Sequence, residues 1–155
     1  MSGLIAARLQ ELGITLPAVP APIANFVPFV RAGEIVVLAG QTCEWNGVVR
    51  YAGKIGIDFD IETGREAARI CALNLLAALE VACEGNLDRV RRCLRLGGFV
   101  NCDPDFDRVP AVIDGASDLM MTLFGANGGH ARTAVGVATL PQRAAVEVDA
   151  IFEIA

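Results

Sequence analysis

The segment Asp60–Cys83 constrains the fold more than any other stretch of this chain. Ala67, Ile70, Cys71, Asn74, Leu75, Ala78, Leu79 and Ala82 recur at helical spacing. One side of a long helix is therefore apolar and rich in alanine, which permits close packing on a sheet. Strand patterns flank it. Glu34–Ala39 reads as a buried strand, and Asn46-Gly47 marks a hairpin between Thr42–Trp45 and Val48–Tyr51. Arg92–Val100 is a further strand, in which Gly97-Gly98 predicts a bulge or a close backbone approach.

The remaining elements complete an α+β pattern. Ser2–Leu12 reads as a short helix, Pro17, Pro20 and Pro22 keep the next stretch extended, and Phe26–Val30 is strand-like. Val109–Phe124 is a second long helix, carrying Ala116, Leu119, Met120 and Leu123. Two strands end the chain, Ala131–Leu140 and Ala145–Ile154, read as a hairpin around Pro141-Gln142-Arg143. The expectation is one domain over residues 1–155, with 1–24 as an N-terminal helix and extended arm. It holds one mixed sheet with two helices packed on one face.

A sheet covered on one side needs a partner for the other, and the composition agrees. Hydrophobic residues make up 54% and charged residues 20%. The mean hydropathy of +0.47 is high for a small soluble monomer. No run approaches the length of about 18 consecutive apolar residues that a membrane span needs. The first residues lack the pattern of a signal peptide, so a cytoplasmic oligomer is expected.

The formal net charge of −5 argues against a nucleic-acid partner. The densest basic run is Arg89, Arg91, Arg92 and Arg95. On a regular strand Arg89, Arg91 and Arg95 share a face with Cys93, which reads as a solvated sheet face. Five cysteines with no C-x-x-C pair, and a single histidine, make a metal site improbable. The thiols read as small buried hydrophobes in a reducing compartment.

Chemistry concentrates near the C-terminus. Strand alternation puts Arg132, Ala134 and Gly136 on one face, and Glu147, Asp149 and Glu153 share a face of the next strand. An arginine among small side chains suits a bidentate grip on a carboxylate. The alternative is a salt bridge from Arg132 to Glu147 or Asp149. His130 adjoins the arginine without a sequence-local nucleophile partner. Asp114 and Ser117 either face the same cleft or cap helix turns. Cys43 either reaches the region of Gly40 or belongs to the core.

Several segments together resemble the YjgF/RidA family, also named for endoribonuclease L-PSP. They are His130-Ala131-Arg132-Thr133-Ala134-Val135, Leu140-Pro141, Val146–Ile151, the strand Gly33–Gln41 with its terminal Gly40-Gln41, the helix Glu66–Ala82 and Gly98–Asn101. The likeness runs from about Phe26 onward. The N-terminal helix and Asp114–Leu119 resemble a longer subfamily.

The resemblance implies a chorismate-mutase-like fold and a homotrimer. Three sheets then form a central barrel, with ligand clefts between subunits. It implies hydrolysis of reactive 2-imino or 2-enamino acids to 2-keto acids and ammonia, without metal or organic cofactor. Arg132 takes the position of the carboxylate clamp, Glu147 that of the acidic residue positioning water, and Gly40 that of a ligand-contacting turn. Three positions depart from the family's active deaminases: Phe26 stands where they carry Tyr, Ala39 where they carry Ser, and Ala134 where they carry Cys. With Asp114, these complete the candidate substrate contacts. The departures make the inferred cleft more apolar. They keep open a second reading, a non-catalytic binder of small carboxylates. The family's older endoribonuclease and translation-inhibitor label finds little support in an acidic chain with one histidine.

Overall fold

The computed structural model describes residues 3–155; the predicted helix start at Ser2 lies outside them. The first helix, α1, spans Leu4–Glu11 and buries Ile5 and Leu9. Its N-terminus is capped from a distance. The backbone N–H groups of Leu4 and Ile5 donate to the Asp88 carboxylate at 2.9 and 2.8 Å. An anion at these unpaired amides stabilises the first turn.

Strand β1 (Phe29–Ala32) begins three residues later than the pattern predicted, because Phe26 remains in the proline-rich arm. Strands β2 (Ile35–Thr42), β3 (Glu44–Trp45) and β4 (Val48–Val49) follow, the last two forming the predicted Asn46-Gly47 hairpin. Asn46 and Gly47 both adopt positive φ, as this tight turn requires.

The long helix α2 spans Ile61–Ala82. Asp60 caps it by accepting from the Thr63 N–H at 2.8 Å, which holds its carboxyl below the usual carboxylate range. Asn74, read as part of the apolar stripe, is fully buried and donates to the carbonyls of Thr42 and Glu44. It ties the helix to the corner between β2 and β3. Helix α3 spans Val109–Phe124, as predicted. The stretch Val109–Gly128 is long and apolar enough to cross a membrane by length and composition alone. Its apolar side, Val112, Ile113, Ala116, Leu119, Met120 and Leu123, is instead buried in the core.

Strands β5 (Val90–Asn101), β6 (Ala131–Val137) and β7 (Val146–Ile154) complete a five-stranded sheet of order β1-β2-β7-β5-β6. All neighbours are antiparallel except β5 and β6. Both long helices cover one face. Beneath them lie Val36, Leu38, Leu96, Val100, Val148, Ala150, Phe152 and Ile154, all buried. The other face carries Val37 and Val135, 46% and 41% exposed, beside charged residues.

Two expectations are corrected here. The last two strands are not a hairpin, because β5 lies between β6 and β7. After Val137 the chain finds its partners in residues 51–54. Lys54 Nζ donates to the Ala138 carbonyl, the Gly53 N–H to Arg143 and the Ala145 N–H to Tyr51. Positive φ at Gln142 and Arg143 then turns the chain toward its place between β2 and β5.

The arginines of β5 do not share a face with Cys93. Register shifts at Val90/Arg92 and Cys93/Arg95 turn Cys93 into the core. Arg91 and Arg95 stand on the open face, paired with Glu34 and Asp149 at 2.9 and 3.4 Å. Gly97-Gly98 is the close-approach case, since a Cβ on Gly98 meets Ile113 of α3 at 2.5 Å.

Candidate functional site

Two groups of candidate residues emerge, on opposite faces of the sheet. The first surrounds Glu147. This residue stands on β7, paired with Thr42 of β2 and Phe99 of β5, with its side chain on the open face. A register shift between Leu38 and Gln41 bulges Ala39 and Gly40 outward. Gly40 lies directly over the carboxylate, because a Cβ there meets Glu147 Oε1 at 2.6 Å. A side chain at Gly40 would push the acid aside.

The proline-rich arm closes over this corner. A cavity of about 70 Å³ is lined by Pro20, Pro22, Ile23, Phe26, Pro28, Gly40, Gln41, Thr42, Glu44, Pro141, Gln142 and Glu147. A more open apolar depression adjoins it, bordered by Phe26, Val30, Val37, Ala39, Gly40 and Glu147. Glu147 borders both and Glu44 the first alone, and no basic side chain lines either. Burial pushes the Glu147 carboxyl above its ordinary value, and the charge of Asp149 adds to the effect. Such a carboxylate is a better proton acceptor than a solvated one. Gln41 belongs to the Gly40-Gln41 motif, while Thr42 and Glu44 were not singled out from the sequence. Only their closeness to Gly40 in the chain signals them.

The second group surrounds Arg132. On β6 it pairs in register with Leu96, so its side chain lies on the helix-covered face, toward α3. Nη1 donates to Asp114 Oδ1 at 2.7 Å and to Ser117 Oγ at 3.0 Å, and Nη2 to the Pro110 carbonyl at 3.3 Å. The salt-bridge partner is therefore Asp114, not Glu147 or Asp149. Asp114 and Ser117 share a face of α3 because they are three residues apart. His130 bonds Ser117 Oγ through Nε2 at 2.9 Å, and its Nδ1 lies 2.6 Å from the Gly128 carbonyl. The hydroxyl partner that its sequence neighbourhood lacked comes from the helix.

The candidates thus divide within one protomer. Phe26, Ala39, Gly40 and Glu147 border the clefts of the open face; Arg132 and Asp114 meet on the helix side of β6. Ala134 shares the arginine's face and packs against the core. Arg132 aligns with Ala150 through Leu96, three residues along β7 from Glu147. Standard strand geometry separates them by about 10 Å along the sheet and about 10 Å across it. They do not reach one small ligand in the same protomer. Cys43 belongs to the core, with its thiol directed at the Tyr51 carbonyl.

A mixed sheet with two helices on one face is the chorismate-mutase-like α+β class. The chain belongs to the YjgF/RidA family within it: residues 6–153 match the family described as "YjgF/chorismate_mutase-like, putative endoribonuclease". It is 45% identical to Protein TCP17 of Trypanosoma cruzi over 154 residues, 99% of this chain and 96% of TCP17. The crystal structure of Atu1372 from Agrobacterium tumefaciens, a protein of unknown function, matches with a TM-score of 0.91 and 44% identity, over 98% of this chain and 93% of that one. TdcF of E. coli with bound serine shares the fold, with a TM-score of 0.59 and 19% identity over 90% of this chain and 94% of its own. With TCP17 and Atu1372 the chain stands in a distinct subgroup of the family.

Proposed function

We propose that this protein hydrolyses 2-imino or 2-enamino acids to 2-keto acids and ammonia at sites shared between copies of the chain. The observation that carries this reading is the half-buried Glu147 under Gly40, a carboxylate of raised proton affinity beside a cleft closed by the proline-rich arm. Arg132 supplies the carboxylate grip from the edge strand of another copy. Three copies with their open faces inward bring a free β6 edge toward a Glu147 cleft. The apolar Val37 and Val135 on that face support the arrangement.

The chemistry needs few groups. The guanidinium fixes the substrate carboxylate and with it the adjacent C=N carbon. Glu147 takes a proton from water as the oxygen bonds to that carbon. Starting from the protonated imine, the acid returns this proton to nitrogen, then takes the proton of the new hydroxyl as the C–N bond breaks, so that ammonia leaves behind a C=O. An enamine first tautomerises to the imine.

The test is keto-acid release from enzymatically generated 2-iminobutyrate and 2-iminopropionate. Catalysis above the spontaneous rate is expected, with loss in Arg132→Ala and in Glu147→Gln. A rate that stays at the spontaneous value with wild-type protein overturns the reading. A second reading, non-catalytic carboxylate binding, is favoured by Asp114 already lying on Arg132 and by the apolar Phe26 and Ala39. Calorimetric binding of a 2-keto acid without turnover of the imine distinguishes it.

A further inference from the structure

The hydroxyl of Ser117 sits in a hydrogen-bond chain with a defined direction. His130 Nδ1 lies 2.6 Å from the Gly128 carbonyl oxygen, which can only accept. The network therefore assigns the proton of the neutral imidazole to Nδ1 and leaves the lone pair on Nε2. Nε2 lies 2.9 Å from Ser117 Oγ, so the hydroxyl donates to it. Arg132 Nη1 donates to the same oxygen from 3.0 Å. The Arg132 guanidinium, held in place by its pair with Asp114, thus stands beside the oxygen whose proton points at a base.

The orienting carbonyl is itself held. Gly128 presses against the Met120 backbone so closely that a Cβ there overlaps it. Nucleophile, base, a group that fixes the base's tautomer, and a cation beside the reacting oxygen are the parts of an acyl-transfer site. They lie where α3 meets β6, the edge strand of the sheet, and both Ser117 and His130 are partly exposed.

We propose that Ser117 is a nucleophile activated by His130, and that it takes the acyl group of an activated ester and releases it to water. This activity is distinct from imine hydrolysis and shares only Arg132 with it. Oγ bonds to the acyl carbon while its proton passes to Nε2, and the tetrahedral oxyanion faces the guanidinium. The ester C–O bond breaks, and the leaving alkoxide takes the proton from Nε2. Water then gives a proton to Nε2 as its oxygen bonds to the acyl carbon. Ser117 leaves and recovers that proton, and the products are a carboxylic acid and an alcohol.

The test uses the full chain with p-nitrophenyl acetate, and with a fluorophosphonate probe whose adduct is mapped by peptide mass spectrometry. The expected adduct is on Ser117. Nitrophenolate release should fall by about 10²–10⁴-fold in Ser117→Ala and His130→Gln, the range of a general base. Thr122→Ala, an exposed hydroxyl on the same helix, should leave both readouts unchanged. Thermal melts of each variant separate lost chemistry from lost folding. An unlabelled Ser117 in the wild-type protein overturns the proposal. So does release that persists in folded His130→Gln.

Discussion

Asp114 and a substrate carboxylate are competitors for one guanidinium. Asp114 Oδ1 lies 2.7 Å from Arg132, while Oδ2 lies 4.0 Å from Arg65, which also holds Asp118 at 2.9 Å. A ligand that takes Arg132 displaces Asp114, and Arg65 is the cation nearest to receive it. Asp114→Asn removes the competing charge while keeping the shape. Calorimetry with a 2-keto acid should therefore show several-fold tighter binding in that variant, and Arg132→Ala should abolish binding.

Glu147 makes a prediction of the opposite kind. Its raised proton affinity means that the folded chain holds this proton more tightly than the unfolded one. The stabilisation is complete below the ordinary carboxylate value and is lost as pH rises through the raised value. At neutral pH the ionised acid is a burden on the fold. Glu147→Gln should raise the melting temperature at neutral pH, and the difference should vanish below about pH 4.

At the level of elements, close approaches between strands and helices set the limits. Gly98 of β5 faces Ile113, and Gly115 of α3 faces the Arg65 carbonyl of α2. Gly98→Ala forces the Ile113 side chain to move and should cost about 1–3 kcal/mol in urea unfolding. Gly115→Ala meets backbone, which cannot swing aside, and should cost more.

The same elements show what a sequence can and cannot carry. Helices α2 and α3 were readable almost to the residue, because a 3.6-residue period is a local signal. Glu147 and Gly40 were each reachable through the family resemblance, while the contact between them depends on the bulge in β2 and is not a local signal. The placement of β7 was not reachable, because a proline turn between two strands reads as a hairpin. What overrides it is the bonding of residues 51–54 to the connection, roughly ninety positions away in the chain. Cys93 was misplaced for a similar reason, since two bulges reset the alternation on which the reading relied. The contact between Ser117 and His130 arises from helix-on-sheet packing, and no spacing announces it.

For the molecule as a whole, the open face is the dominant fact. Val30, Val37 and Val135 are exposed there, while Arg91 and Arg95 are already neutralised by acids of the same face. A face that pairs its own charges and leaves its valines bare is suited to a second copy of itself. Sedimentation should give a trimer, and Val37→Glu should shift it to monomer. Loss of the trimer should also remove imine hydrolysis if each site draws on two copies. The hydrophobic excess of the composition raises the expectation of a partner, and the sheet's one-sided cover leaves a face that such a partner would fit.

The buried cysteines give this fold a chemical clock. All five are unpaired and shielded, and burial raises the thiols of Cys71, Cys83, Cys93 (to about 12) and Cys102. Since the thiolate is the reactive form, the native state is protected both by access and by protonation. Alkylation therefore records breathing motions instead of surface reactivity. Cys102, just past the end of β5 and 6% exposed, should be modified first, and the fully buried Cys71, on α2 against Val146 of the central strand, should wait for global opening. Mass spectrometry of timed alkylation in dilute urea reads that order directly; simultaneous modification of both would show that the sheet and its long helix open as one unit.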